Sequence, residues 1–239
     1  MPSSIGVAAA LTAEARLFDE WRPSSGSTSR LGANLSLAVT GVGAERAREG
    51  AKHLLAAGAD ALVSFGFAAG LAAALAPGTL VLPRRVLCDD DRAREVDERL
   101  RTLLVEQLAG HRISDGTLAE VRTPLWDAAA KHSLHLRSGA VAADMESGAV
   151  AEVAAEMRVP FVVVRAIVDG ATREIPACAR RALDGDGSVR ASTLLVGVVR
   201  RPWEIVALLR LARDFNAAHR TLAAAAVALR GAAEAFGRW

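Results

Sequence analysis

Two neighbouring pieces decide the fold. They are Ala142-Ala143-Asp144-Met145-Glu146-Ser147 and Pro160-Phe161-Val162-Val163-Val164-Arg165-Ala166-Ile167-Val168-Asp169. The first reads as the opening of a helix. Asp144 and Glu146 lie where a helix N-terminus favours negative charge, and Met145, Ala149, Val153 and Met157 recur on one apolar face. Pro160 marks where that helix has ended. The β-branched run after it reads as a strand buried on both faces, closing at Asp169-Gly170. Arg165 and Asp169 stand an even number of positions apart, which predicts that both point to the same side of the strand. A buried guanidinium needs an anionic partner. Carboxylates at a helix start, beside a strand with Arg and Asp near its end, predict a polar pocket in an α/β protein.

The same alternation extends toward the N-terminus. Ile5 to Leu11 is a predicted strand, and Thr12 a cap for the helix after it, with Glu14 in the first turn. Glu14 reads either as a surface residue favoured by the helix dipole or as a pocket carboxylate. Leu35 to Val39 is a strand running into Thr40-Gly41-Val42-Gly43, and Glu45 to Ala57 is a helix. Ala61 to Phe65 is a strand followed by a second glycine loop, Gly66-Phe67-Ala68-Ala69-Gly70. Both loops suit close approach of backbone to a ligand. Neither has the GxGxxG spacing, so a dinucleotide fingerprint is missing.

Downstream, Thr79 to Val86 is a predicted strand. Asp89 to Glu98 is a solvated charge run leading into a helix over Val96–Leu108, and Thr117 to Val121 is a further strand. Trp126 reads either as a platform for a flat ligand or as a packed surface aromatic. From Arg200 onward two helical patterns follow, one through Trp203, Val206, Leu209 and Leu211, the other over Thr221–Leu229. Strands alternating with helices predict a three-layer αβα sandwich around a twisted, largely parallel central sheet. The 239 residues suit a single domain over 1–239 with a helical tail from about 200.

Composition narrows the function classes. Hydrophobic content of 51% supplies a core, and the net charge of +2 comes without a Lys/Arg block interleaved with aromatics, so nucleic acid is not an expected partner. Cys88 and Cys178 show neither metal nor redox spacing and read as reduced cytosolic thiols. The five histidines form no zinc pattern, so no metal is expected; His132 and His135 read as surface residues. Residues 61–82 carry no charge over a length that could span a bilayer, but Gly66, Gly70, Pro77 and Gly78 break the run. No signal-like segment opens the chain, and a cytoplasmic protein is expected.

Taken together, Ile5-Gly6-Val7 with Glu14, Thr40-Gly41-Val42-Gly43, Gly66 with Ala69-Gly70, Asp144-Met145-Glu146 and Arg165-Ala166-Ile167-Val168-Asp169 resemble the nucleoside phosphorylase and nucleosidase superfamily. The resemblance covers about residues 5–175 and is nearest to the methylthioadenosine/adenosylhomocysteine nucleosidases. Arg173-Glu174-Ile175-Pro176 and the tail Arg201-Pro202-Trp203 with Leu209-Arg210-Leu211-Ala212-Arg213 are similar to the hopanoid-associated phosphorylase branch. That branch is implied to remove adenine from adenosylhopane. The resemblance implies a nucleoside-type small molecule as substrate, no cofactor beyond water or inorganic phosphate as co-substrate, and a homodimer.

It also implies roles. Asp169 matches the acid that protonates the departing adenine; read by itself, Asp169-Gly170 is equally a turn. Glu146 matches the carboxylate that accepts hydrogen bonds from the ribose hydroxyls, and Met145 the residue packed on the sugar. Arg165 orients that region electrostatically, while Thr40, Gly41, Gly66 and Phe67 belong to the floor of the nucleoside site. Glu14 matches the glutamate that holds attacking water in the nucleosidases, where phosphorylases carry an arginine for phosphate. Leu62-Val63-Ser64-Phe65-Gly66 lacks the arginine that precedes the phosphorylases' glycine loop, which favours water, although Arg16 is within reach of an anion. Phe65, Phe67 and Val168 replace hydroxyl residues of the relatives and make the neighbourhood more apolar, which suits a lipid-sized 5′ group and is equally read as neutral drift in packing. The alternatives are a nucleosidase for a soluble substrate (methylthioadenosine, adenosylhomocysteine or futalosine) and a non-catalytic nucleoside- or lipid-binding module. The arginines and the tryptophan of residues 200–213 are the composition of an interfacial segment, so peripheral contact with the inner membrane is one expectation. Packing of the same leucines onto the core is the other.

Overall fold

The computed structural model describes residues 4–18, 26–90, 92–182 and 204–236. Its eleven strands are β1 (Ile5–Ala9), β2 (Thr28–Arg30), β3 (Leu35–Val39), β4 (Ala61–Gly70), β5 (Leu80–Val81), β6 (Arg85–Leu87), β7 (Ala93–Glu95), β8 (Ile113–Ser114), β9 (Leu118–Glu120), β10 (Ala142–Asp144) and β11 (Phe161–Asp169). The helices are α1 (Thr12–Ala15), α2 (Ala44–Ala56), α3 (Glu98–Gln107), α4 (Ala128–Ser138), α5 (Ser147–Met157), α6 (Ala177–Ala182) and α7 (Ile205–Phe236). The strands form one sheet in the order β2-β3-β1-β4-β10-β9-β6-β7, with β11, β5 and β8 branching from β4. The long pairings, β1 with β3, β1 with β4 and β11 with β4, are all parallel.

The central strands are apolar at nearly every position because helices cover both faces. Along β11, Val162, Val164 and Ala166 pack with Leu100 and Leu104 of α3 and with Leu222, Ala226 and Leu229 of α7. Phe161, Val163 and Ile167 pack on the other side with Leu54 of α2 and Val150 and Val153 of α5. The three expected layers are thus in place. Each fully buried leucine contributes about 1.5–3 kcal/mol, so the alanine-rich second half of α7 is part of the core.

Local structure departs from the sequence reading in several places. Ala142–Asp144 is a strand paired with β9, and the helix begins only at Ser147. Met145 therefore precedes the helix, and Met157 at its far end is exposed, so the buried face is Ala149, Val150, Val153 and Ala154. The expected glycine loop over 66–70 is the continuation of β4, since β11 pairs with it as far as Ala69 and β10 takes over at Ala69–Gly70. Thr79–Val86 splits into β5 and β6, because Pro83 cannot donate to a ladder. The charge run contains β7, and α3 begins at Glu98 behind an Asp97 cap whose carboxylate accepts from the Leu100 N–H at 2.8 Å. Thr12 lies inside α1, and Leu11 occupies the cap position. The described part of the tail is a single helix, α7, where two were expected; Arg200, Arg201 and Trp203 lie outside the described residues.

Candidate active site

The polar residues gather at the carboxyl ends of the parallel strands, where β4 changes partner from β11 to β10. Glu14 follows β1, Thr40 to Gly43 follow β3, Gly66 sits late in β4, Glu146 follows β10 and Asp169 ends β11. Ligands of open α/β sheets bind at such strand ends.

Arg165 is the hub. It points to the α5 side of the sheet and is 1% exposed. Its Nη2 lies 2.7 Å from Asp144 Oδ2 and 3.8 Å from Glu146 Oε2, and donates to Ser64 Oγ at 2.8 Å and Ser147 Oγ at 3.2 Å. Asp144 also accepts from the Ser147 hydroxyl and backbone N–H, which ties the arginine's partner to the first turn of α5. The anion that the sequence required is therefore Asp144, with Glu146 behind it.

Glu14 is 2% exposed, which removes the surface reading of this residue. Its Oε2 accepts from the Leu11 N–H and its Oε1 from the Phe67 N–H, each at 2.9 Å. Burial pushes its pKa up, against the pull of Arg165 and the backbone donors. Gly66 makes this packing possible, since a Cβ there would overlap Glu14 Oε1 and Arg165 Nη1. Glu146 accepts from the Gly43 N–H at 2.9 Å, and burial, opposed by Arg165 and reinforced by Asp144, raises its pKa to about 7. Gly43 has φ +104, a left-handed backbone that favours glycine at this contact.

Asp169 belongs to a second cluster. The register of β11 shifts between Ile167 and Asp169, so the even-spacing argument that placed it beside Arg165 no longer holds. Its carboxylate is ion-paired with Lys131 of α4, a fully buried lysine whose Nζ also donates to Gly170 O at 3.0 Å and Arg173 O at 2.9 Å. Burial raises the Asp169 pKa, and the Lys131 charge pulls the other way.

The remaining expected residues take supporting places. Thr40 is buried, and its hydroxyl donates to Gly41 O at 2.8 Å; Gly41 adopts φ +84. Met145 is half-buried, and its N–H donates to Glu146 Oε2 at 3.3 Å. Phe67 packs against Phe215 of α7 with ring centroids 5.1 Å apart and the ring planes tilted by 47°. The half-buried Trp126 precedes α4, and its carbonyl accepts from the Ile175 N–H at 3.0 Å, which ties it to the turn after Asp169. Arg16 is exposed.

Sequence reasoning missed Lys131, Ser64 and Ser147. A lysine after Ala128-Ala129-Ala130 carries no pattern that marks it as buried, and isolated serines carry none at all. Metal binding has one candidate among the described residues, Cys88 with Asp90 and Glu152. Arg92 and Arg48 already pair with its carboxylates, and burial pushes the Cys88 thiol up to about 11, so the thiolate that a metal needs is disfavoured.

Solved structures share this architecture. A 5′-methylthioadenosine/S-adenosylhomocysteine nucleosidase from Neisseria meningitidis, in complex with methylthio-immucillin-A, superposes with a TM-score of 0.70 at 17% identity, covering 95% of this chain and 97% of that one. The Helicobacter pylori nucleosidase of the same name gives 0.68 at 17% identity over 95% and 96%. The futalosine hydrolase of Helicobacter pylori gives 0.67 at 19% identity over 95% of each chain. No curated protein sequence matches. At the level of sequence families, the phosphorylase superfamily matches residues 4–201, which is most of the chain. It is to that superfamily, of enzymes that break glycosyl bonds, that this chain belongs.

Proposed function

We propose that the chain hydrolyses the N-glycosidic bond of an adenine nucleoside and releases adenine, and that the nucleoside is the lipid-linked adenosylhopane. The observation that carries hydrolysis is Glu14. A buried carboxylate at this place repels phosphate and suits an attacking water. Among the described residues the guanidinium that reaches the cluster is Arg165, and it is engaged by Asp144, Ser64 and Ser147 rather than open to an anion. In this reading Asp169 protonates the base as the bond to C1′ stretches. Glu146 accepts from the ribose hydroxyls while the sugar takes on positive charge, and Glu14 takes the proton of the water that adds to C1′. Turnover in phosphate-free buffer with a free-sugar product is the expected result. Strict dependence on added phosphate, with a sugar 1-phosphate seen by mass spectrometry, sinks it.

The lipid-sized 5′ group rests on the apolar surroundings. The Phe67–Phe215 pair lines α7 beside the cluster. About two to three turns toward its N-terminus, Ile205, Val206 and Leu209 are exposed beside Arg210 and Arg213. Apolar side chains flanked by arginines suit the surface of an anionic bilayer, and no helix of the described residues is long and apolar enough to cross one. Flotation with anionic liposomes, and its loss when Val206 and Leu209 become serine, is the expected outcome. A chain that ignores both anionic and neutral vesicles points instead to a soluble substrate, a reading also favoured by the likeness to a methylthioadenosine/S-adenosylhomocysteine nucleosidase and a futalosine hydrolase.

A further inference from the structure

α4 is unusual in what it buries. Among its residues the one fully buried side chain is a lysine, Lys131, where a helix packed on a core ordinarily places an apolar residue. Burying an ammonium carries a desolvation penalty of several kcal/mol, which is offset only where every hydrogen is matched. Here each is. An ammonium has three donors, and the three acceptors are the Asp169 carboxylate, the Gly170 carbonyl and the Arg173 carbonyl. One cation thus holds the end of β11 and the turn after it, and the Trp126–Ile175 backbone bond fastens that turn to the start of α4 a second time.

On the nucleosidase reading, to which this inference is tied, we propose that Lys131 is a positioning residue. It clamps Asp169 as a carboxylate in the substrate-free chain and yields it to the purine, while its Nζ stays on the Gly170 and Arg173 carbonyls. The proton balance follows. As the base arrives, Asp169 leaves the ammonium and takes a proton from solvent. That proton passes to the purine nitrogen as the C1′–N bond breaks and its electron pair goes to the base. Water adds to C1′ and gives its proton to Glu14, and exchange with solvent restores both carboxyl groups. The clamp couples protonation of the acid to occupancy of the site, so the acid stays ionised until a base is present.

The charged groups that face Asp169 are Lys131 from α4, Arg173 from the turn and Asp214 from α7, the last two paired with each other at 2.8 Å. Removing the ammonium leaves burial and Asp214, which favour the protonated acid, opposed by Arg173, the smallest of the influences on Asp169. In Lys131→Met the folded-state pKa of Asp169 therefore rises further, and the acid stays protonated to higher pH.

The test follows the Asp169 carboxyl by ¹³C NMR in aspartate-labelled chain, assigned through Asp169→Asn, together with the pH profile of adenine release. The expected result is a midpoint about one pH unit higher in Lys131→Met, the lower end of what loss of an adjacent opposite charge does to a carboxyl group, with the falling limb of kcat/KM displaced equally. Lys131→Arg is expected to stay near the unaltered chain. An unmoved midpoint, or an unmoved profile in active Lys131→Met, overturns the clamp. Should Lys131→Met not fold, the ¹⁵Nζ signal of Lys131 in the unaltered chain decides: it shifts and exchanges faster on adding adenine, and an unchanged signal refutes the hand-over. A moved midpoint in a chain that releases adenine from no nucleoside supports the clamp and removes the nucleosidase reading, so the two failures are distinct.

Discussion

Replacing Arg165 with methionine removes the one positive charge that, among the described residues, binds the first cluster together, while keeping most of the volume. Asp144 then loses its partner at 2.7 Å, and Glu146 and Glu14 lose the charge that opposes their burial. Taking one partner from a buried pair costs about 3–5 kcal/mol. For a chain of this size each kcal/mol lowers the melting temperature by about 2–4 °C, so the expected fall is about 6–20 °C at pH 8. The pH dependence carries the sharper test. Without Arg165 the folded-state pKa values of Glu146 and Glu14 rise further above their unfolded values. The folded chain then binds more protons than the unfolded one, and stability falls as pH rises through the folded values. The deficit of Arg165→Met is therefore smaller at pH 5, where protonation relieves the buried charge, than at pH 8. Scanning calorimetry of both chains at pH 5, 6.5 and 8 reads this directly. A melting temperature within about 2 °C of the unaltered chain at pH 8, or a deficit independent of pH, would refute the account of the cluster as a charge-balanced unit.

Two further outcomes are expected. Asp169→Asn keeps an acceptor for Lys131 but has no proton to give, so the chain folds and adenine release falls by about 10²–10⁴-fold; near-normal release by an adenine assay removes Asp169 from the chemistry. Glu146, with its pKa raised from 4.5 to about 7, contributes stability that is present at low pH and lost as pH climbs through about 7, worth about 3 kcal/mol. In Glu146→Gln that loss disappears, so its melting temperature gains on the unaltered chain between pH 4.5 and 8; parallel melting curves across that range contradict the raised pKa.

Several features could be read directly from residue order because they follow from local chemistry. A β-branched run after Pro160 is a buried strand whatever surrounds it, and an arginine inside such a run requires an anion. Strand, glycine and helix in alternation lead to a layered α/β architecture. The boundaries were less readable where tertiary pairing overrules propensity. Ala142–Asp144 is a strand because β9 and β4 stand on either side of it, and β4 runs through Gly66 because β11 continues alongside.

The sequence by itself determined the layered fold, the buried strand with its charged residue, and the set of carboxylates that a nucleoside site would use. Tertiary structure alone decided how those charges are paired. A carboxylate's partner depends on which side chains converge across 20 to 150 residues, and a single register shift in β11 is enough to withdraw Asp169 from a parity argument. That is why Arg165 is held by Asp144 and the acid by Lys131, a residue whose burial nothing in its own neighbourhood announces.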